Sequence, residues 1–309
     1  MERRAFYREL IRRLESEGRV DVTTWLSGKH QGEKRFGFHG EEAETFRETL
    51  RGKIPVIVLG GGHVSLALEN ILKLLEFHLT VIDDREEFAN RERFSLADEV
   101  FRMDFETEFP QAVFPEGAYY IIVTRGHQYD YICLKEILKR TSGYIGMIGS
   151  RKKVAATFQR LREEGVSEEE IRRVHAPIGL PIGGSTPAEI AVSIAAEIIQ
   201  VKETSGVQGL EEEVKETLLK EEGPLVMVTV LKKEGSSPRG RGSRMLVGEY
   251  GKIKGSIGGG AVEYEAARYA KESLGHELFE TVQYRLSDGQ AADLGMICGG
   301  SIQVLFESL

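Results

Sequence analysis

Apolar residues at Phe6, Leu10, Ile11 and Leu14 recur at the spacing of one helical face, so residues 1–18 are predicted to form a helix. Residues 20–26 are apolar enough for a strand, 27–40 are polar and glycine-containing like a loop or hairpin, and 41–50 are predicted helical. The segment 1–52 is too short to own a core and is expected to dock on the rest of the chain. From Lys53 the pattern changes. Short apolar runs at 55–59, 79–82, 99–102, 119–123 and 144–148 alternate with amphipathic stretches. This alternation predicts an α/β fold, a Rossmann-like doubly wound parallel sheet over 53–203. Ser167 with Glu170, and Thr186 with Glu189 around Pro187, mark the starts of two further helices. Residues 204–208 separate this domain from a smaller glycine-rich α+β domain at 209–309. That domain is expected to hold helices at 210–220 and 262–273 and strands at 225–231 and near Met245, Ile253, Val282 and Val304.

Composition narrows the function classes. A net charge of −8 over 309 residues speaks against nucleic acid or an anionic membrane as partner, while leaving room for a local basic pocket. Two cysteines, Cys133 and Cys298, cannot build a disulfide framework and are expected as free thiols in a reducing compartment. No apolar run approaches the ~20 residues of a membrane span, and the first residues carry no apolar signal region. A cytoplasmic protein is the expectation.

The candidate chemistry lies in glycine-rich turns. Gly60-Gly61-Gly62-His63 follows an apolar strand and opens a helix, which is the context of a dinucleotide-type loop. Gly60 permits the turn, Gly62 lets backbone approach a phosphate, and the helix N-terminus attracts negative charge. Ser65 stands where a third glycine is usual. Asp83, at the end of the next strand, is placed to accept ribose hydroxyls. Asp83 and Asp84 would repel a 2′-phosphate, against which Arg85 acts. Thr124, Arg125 and His127, then Gly149, Ser150 and Arg151, also follow strands, where an open parallel sheet lines its ligand crevice. His127 is a candidate acid–base or ligand contact.

Three further clusters lie in the last domain: Gly235-Ser236-Ser237-Pro238-Arg239-Gly240, Gly258-Gly259-Gly260 and Cys298-Gly299-Gly300. Bare glycine amides suit an anion, and Arg239, Arg241 and Arg244 would reinforce one. Cys133 sits inside a predicted helix and reads as a core residue. No Cys-x-x-Cys or His-Glu-x-x-His pair suggests zinc, and no Gly-x-Ser-x-Gly elbow occurs.

These motifs in this order resemble the XdhC/CoxI family, the accessory factors of xanthine dehydrogenase, aldehyde oxidoreductase and related molybdenum hydroxylases. The resemblance runs over residues 53–309 and includes Asn90-Arg91-Glu92-Arg93-Phe94, Thr124-Arg125-Gly126-His127 and His175-Ala176-Pro177-Ile178-Gly179-Leu180. It implies a maturation factor that binds the molybdenum cofactor, as molybdopterin or its cytidine dinucleotide, during sulfuration and insertion. Its partners would be an apo molybdenum hydroxylase and a cysteine desulfurase as sulfur donor. The cradle would comprise the glycine clusters, Arg239 and Glu263, with Cys298 as the thiol that contacts molybdenum or relays sulfur.

Two features depart from the family pattern. The glycine-rich domain follows the Rossmann-like one instead of preceding it. Ala261 also stands in the usual Cys position of Gly-Gly-Gly-Cys-Val-Glu, leaving Cys298 as that domain's thiol. The nucleotide-type loop keeps two other readings open, an NAD-dependent oxidoreductase and a nucleotide-sensing binding protein. A homodimer is expected, because a small domain on a linker commonly packs against a second copy of the chain.

Overall fold

The structure, a computed structural model, describes residues 2–39, 43–204, 209–234, 240–286 and 300–309. They form two compact units, one of residues 1–52 with 207–309 and the other of residues 53–206.

Helix α1 (Arg3–Glu17) buries Phe6, Tyr7, Leu10, Ile11 and Leu14. It is followed by β1 (Arg19–Trp25), β2 (Lys34–Phe36) and β3 (Thr45–Arg51), an antiparallel sheet in the order β2-β1-β3. The prediction of a helix over 41–50 is corrected here: β3 pairs with β1 along its whole length, from Arg51 opposite Arg19 to Thr45 opposite Trp25. Phe46 and Leu50 stand four positions apart, which places them on one face of either a helix or a strand. The available ladder on β1 settles the choice.

The unit of residues 53–206 contains β4 (Pro55–Leu59), α2 (His63–Leu74), β5 (His78–Asp83), β6 (Glu99–Arg102) and β7 (Ala118–Ile122). It continues through α3 (His127–Leu138), β8 (Ser142–Met147), α4 (Arg151–Glu163), α5 (Glu168–Arg172), β9 (Val174–His175) and α6 (Pro187–Thr204). The strands are all parallel, in the order β6-β5-β4-β7-β8-β9. The order reverses between β4 and β7, and this switch point is where ligands bind in open α/β sheets. Strands such as Pro55–Leu59 are apolar throughout because both faces are covered. Val56, Val58, Val81 and Ile121 pack under α2 and α6. Ile57, Leu59, Ile82 and Ile122 pack under α3, α4 and α5. The short strand β9 is an element that the hydrophobic pattern does not announce.

Back in the first unit come α7 (Glu212–Lys220), β10 (Val226–Glu234), β11 (Arg244–Val247), β12 (Ile253–Gly255), α8 (Gly260–Glu272), β13 (Phe279–Leu286) and β14 (Gly300–Ser308). The five strands form an antiparallel sheet in the order β12-β11-β10-β14-β13. One face, with Val226, Val228, Met245 and Phe306, packs on Ala266 and Ala270 of α8. Met227 and Leu246 of the other face pack with α1 and α7. Ion pairs cross the same interface. Lys34 Nζ lies 2.9 Å from Glu307 Oε2, Arg244 Nη2 lies 2.5 Å from Glu48 Oε1, and the Tyr7 hydroxyl donates to Glu307. Buried charges need such partners.

Among the described residues no helix is long and apolar enough to cross a membrane.

Candidate functional site

The turn after β4 is shaped by close backbone packing. Gly60 has φ of 109°, and a Cβ there would stand 2.4 Å from the carbonyl oxygen of Val123. At Gly61 a Cβ would meet the Phe88 carbonyl oxygen at 2.2 Å. Gly62 differs, since nothing lies within 4 Å of its virtual Cβ. The turn is therefore packed against protein at Gly60 and Gly61 and open at Gly62. There α2 begins with the exposed His63, without a side-chain cap, so its first-turn amides have no helical acceptor. Ser65, in the place of the third glycine, donates its hydroxyl to the Gly60 carbonyl and so ties the helix to the turn.

Asp83 lies beneath this turn and is 1% exposed. Its Oδ2 accepts the Gly61 amide at 2.7 Å and Arg85 Nη2 at 3.0 Å. Its Oδ1 accepts Arg85 Nε at 2.9 Å and the Arg85 amide at 3.0 Å. Burial would raise this carboxyl, but the Arg85 guanidinium and the two amides outweigh it and hold the group below the usual carboxylate range. Asp84 receives Arg125 Nη2 at 2.9 Å and faces Arg85 Nε at 3.7 Å. Arg85 stacks over the Phe88 ring, 3.6 Å from its centroid. Arg93 approaches the same ring at 5.0 Å and donates from Nε to the Gly61 carbonyl at 2.9 Å. Its Nη2 is buried and has no hydrogen-bond partner among the described residues.

The other predicted positions of this unit share the C-terminal edge of its sheet. Thr124 follows β7 and donates its hydroxyl to Asp130 Oδ1 at 2.7 Å. Arg125 is exposed apart from its pair with Asp84. His127 is the first residue of α3, and its side chain lies outside the described set. After β8, Gly149 leads to Ser150, whose side chain caps α4 by accepting the Lys153 amide, and Arg151 begins that helix in solvent.

In the other unit the antiparallel register brings the described flanks of the first and third glycine clusters together. Glu234 stands opposite Ser301, and Leu286 opposite Gly300. The turn from Ser256 to Gly259 leads into α8 at the Gly260 position, and its amides are already engaged. Glu263 Oε2 accepts the Ser256 hydroxyl at 2.6 Å and the amides of Ile257, Gly258 and Gly259 at 2.9, 3.3 and 2.9 Å. Burial would raise the Glu263 carboxyl, but that hydroxyl and those amides hold it below its ordinary range. This turn is a nest for one anionic oxygen, filled by the chain's own carboxylate.

The expectation that Arg241 and Arg244 reinforce an anion site is corrected. Arg244 is buried against Glu48, and Arg241 donates to the Arg47 carbonyl at 2.7 Å and covers Phe46. Gly235, Ser236, Ser237, Arg239, Cys298 and Gly299 lie outside the described residues. Cys133 is a core residue whose thiol is pushed well up by burial. Among the described residues no group of three His, Cys, Asp or Glu could hold a metal ion.

Two residues here, Asp130 and Glu197, stand in none of the motifs read from the sequence. Asp130 lies inside α3 and only the packing brings it to Thr124, as it brings Arg93 of the 90–94 motif to the Gly61 carbonyl. Glu197 of α6 accepts the Gly179 amide at 2.9 Å and the Tyr144 hydroxyl at 2.5 Å, and faces His175 Nδ1 at 3.2 Å. It ties the turn after β9 to α6.

Comparison with known proteins adds three findings. Residues 56–198 match the family model described as the XdhC Rossmann domain, and residues 218–285 match that of the XdhC and CoxI family. The chain is 35% identical over 155 residues to "Uncharacterized protein YqeB" of Escherichia coli K12, covering 50% of this chain and 28% of that protein. It is 27% identical over 167 residues to a protein of Bacillus subtilis named as a probable xanthine dehydrogenase subunit, covering 52% and 47%. A solved structure titled as a xanthine dehydrogenase from Bacillus halodurans shares the fold, with a TM-score of 0.51, 23% identity and 62% of each chain covered. The chain thus spans less than two thirds of the length of each of these relatives.

Proposed function

The chain belongs to the XdhC/CoxI family, and from its loop geometry we propose that it is a maturation factor for a molybdenum hydroxylase such as xanthine dehydrogenase. In this role it binds a phosphate-bearing pterin, molybdopterin or its cytidine dinucleotide, and passes it to the apoenzyme. The observation that carries this is the pairing of an open Gly62 and the α2 N-terminus with a buried Arg93 Nη2 that lacks a partner among the described residues. A buried guanidinium N–H without an acceptor is costly, and a phosphate oxygen satisfies it. The residues present therefore fit the phosphate of such a cofactor.

When bound, the cofactor supplies the molybdenum centre that the hydroxylase needs. The chain's own residues hold and orient. Gly60 and Gly61 lock the turn, the α2 amides and Arg93 take the phosphate, and Arg85 and Arg125 neutralise Asp83 and Asp84 beside it. The Asp83 carboxylate and Oε2 of Glu263 are occupied by donors of the chain itself, which suits holding the two glycine turns better than acid–base turnover. Cys298 is the soft ligand this proposal assigns to molybdenum or its sulfur. A cysteine desulfurase is the proposed sulfur donor.

Native mass spectrometry with metal analysis, after incubation with molybdopterin, tests the proposal. The expected result is retention of cofactor by the wild type, loss of at least about tenfold in retention for Arg93→Ala, and no substrate-dependent NADH formation. Equal retention by both proteins overturns the phosphate assignment. NADH formation overturns the maturation role in favour of an oxidoreductase.

A further inference from the structure

Dinucleotide-binding sheets of this topology read the ribose with an acidic side chain at the end of the second strand, which accepts the sugar hydroxyls. Asp83 holds that position at the end of β5. An ionised carboxylate offers about four lone-pair sites, and all four at Asp83 are filled from within the chain. Two face the Arg85 guanidinium and two face the amides of Gly61 and Arg85. The adjacent carboxylate is committed in part: Asp84 Oδ2 takes Arg125 Nη2 at 2.9 Å, and its Oδ1 lies 3.7 Å from Arg85 Nε, within ion-pair but outside hydrogen-bond reach. The phosphate side of the crevice is the reverse. Gly62 faces open space, and Arg93 has a buried donor to spare.

We infer that this site recognises its ligand as a phosphate or diphosphate ester and leaves the ribose diol unread, so that it departs from an NAD site built on the same fold. The inference rests on the phosphate-binding proposal above and makes it narrower. Asp83 becomes a positioning residue: it fixes the Gly61 amide and is itself fixed by Arg85. Arg85 is held in turn by its stack on Phe88, at 3.6 Å, and by its bidentate pair with Asp83. A ribose would have to displace a guanidinium from a buried carboxylate, exchanging bonds in which both partners are charged for hydroxyl bonds in which only the acceptor is, and leaving the Arg85 cation without its partner.

The test uses the full chain and three probes in calorimetric titrations: cytidine 5′-diphosphate, its 2′,3′-dideoxy analogue, and inorganic pyrophosphate. The expected outcome is that the two nucleotides bind within about twofold of each other and that pyrophosphate competes with both. A site that used the hydroxyls would lose on the order of tenfold or more for the dideoxy analogue. Arg85→Ala, which frees the Asp83 carboxylate, is expected to create a preference of at least about fivefold for the ribonucleotide.

A tenfold ribonucleotide preference in the wild type overturns the inference and leaves the phosphate site standing. Equal affinities in Arg85→Ala, with its thermal midpoint near that of the wild type, overturn the role given to the clamp. If neither nucleotide nor pyrophosphate binds the wild type, the phosphate proposal fails and takes this inference with it.

Discussion

Asp83 shows how much a residue's role depends on its neighbours. Its position after β5 marks it as a ribose acceptor, yet Arg85, two residues on, and Gly61, across the turn, claim its oxygens. The clamp has a pH signature. The folded carboxyl titrates below its ordinary value of 3.8 because burial, which raises it, is outweighed by Arg85 and the amides. Its stabilising contribution is therefore complete above that ordinary value and lost as pH falls through the lower folded one. Urea midpoints measured from about pH 6 to pH 3 should fall on the acid side for the wild type. They should fall less steeply for Asp83→Asn, which is also weaker at neutral pH because Arg85 loses its partner. A parallel pH dependence in the two proteins contradicts the assignment. At this scale the glycines were legible in the chain, because a sharp turn between a strand and a helix leaves a local mark. The saturation of Asp83 was not, because Arg85 is equally consistent with a free cation that accommodates a 2′-phosphate.

Among the elements, those with explicit start signals were the most legible. The Ser167–Glu170 capping box forms in both directions, with Glu170 Oε2 accepting the Ser167 amide at 3.0 Å and Ser167 Oγ accepting the Glu170 amide at 3.2 Å. Thr186 and Glu189 make the same exchange ahead of α6. Such caps act within four residues, so sequence spacing nearly specifies them. Ser167→Ala should cost about 1 kcal/mol, read as a lower urea midpoint for the 53–206 unit, with Ser167→Thr recovering most of it. No change in the alanine variant would show that α5 is held by Ile171 packing alone. β3 was harder to read, because Phe46 and Leu50 satisfy both periods and the deciding partner is β1. The Glu263 nest lies between these cases. Its donors are within seven residues, yet a glycine turn in sequence does not reveal whether its amides await a ligand or hold a neighbouring side chain.

For the molecule as a whole, the division into units cuts across chain order. Residues 1–52 join residues 207–309, and the intervening 154 residues form the second unit. The joining surface buries Phe6, Leu10, Val22 and Leu50 with Val214, Met227 and Leu246, and carries the Lys34–Glu307 and Arg244–Glu48 pairs. Removing one side would strip Arg244 and Glu307 of their ion-pair partners and bare the apolar face in which they sit. Deletion of residues 1–52 should therefore leave the 53–206 unit with its own cooperative unfolding transition while the 207–309 part loses protection in amide exchange. Retained protection in β10 and β14 would show that the five-stranded sheet stands alone.

Alternating apolar runs, a glycine turn between strand and helix, and paired caps are short-range rules of backbone geometry, so the parallel sheet and its glycine turn could be read from residue order. The partner of each buried charge could not. Arg244 lies 196 positions from Glu48 and close to a glycine cluster it was expected to serve, and the packing of two sheets gives it to Glu48. Burial makes an unpaired charge costly whatever its place in the chain, so the compact structure assigns the charged residues to scaffold or site. It gives Asp83 and Arg244 to the scaffold and leaves Arg93, tied through Nε to the Gly61 carbonyl, with a buried donor unmatched among the described residues.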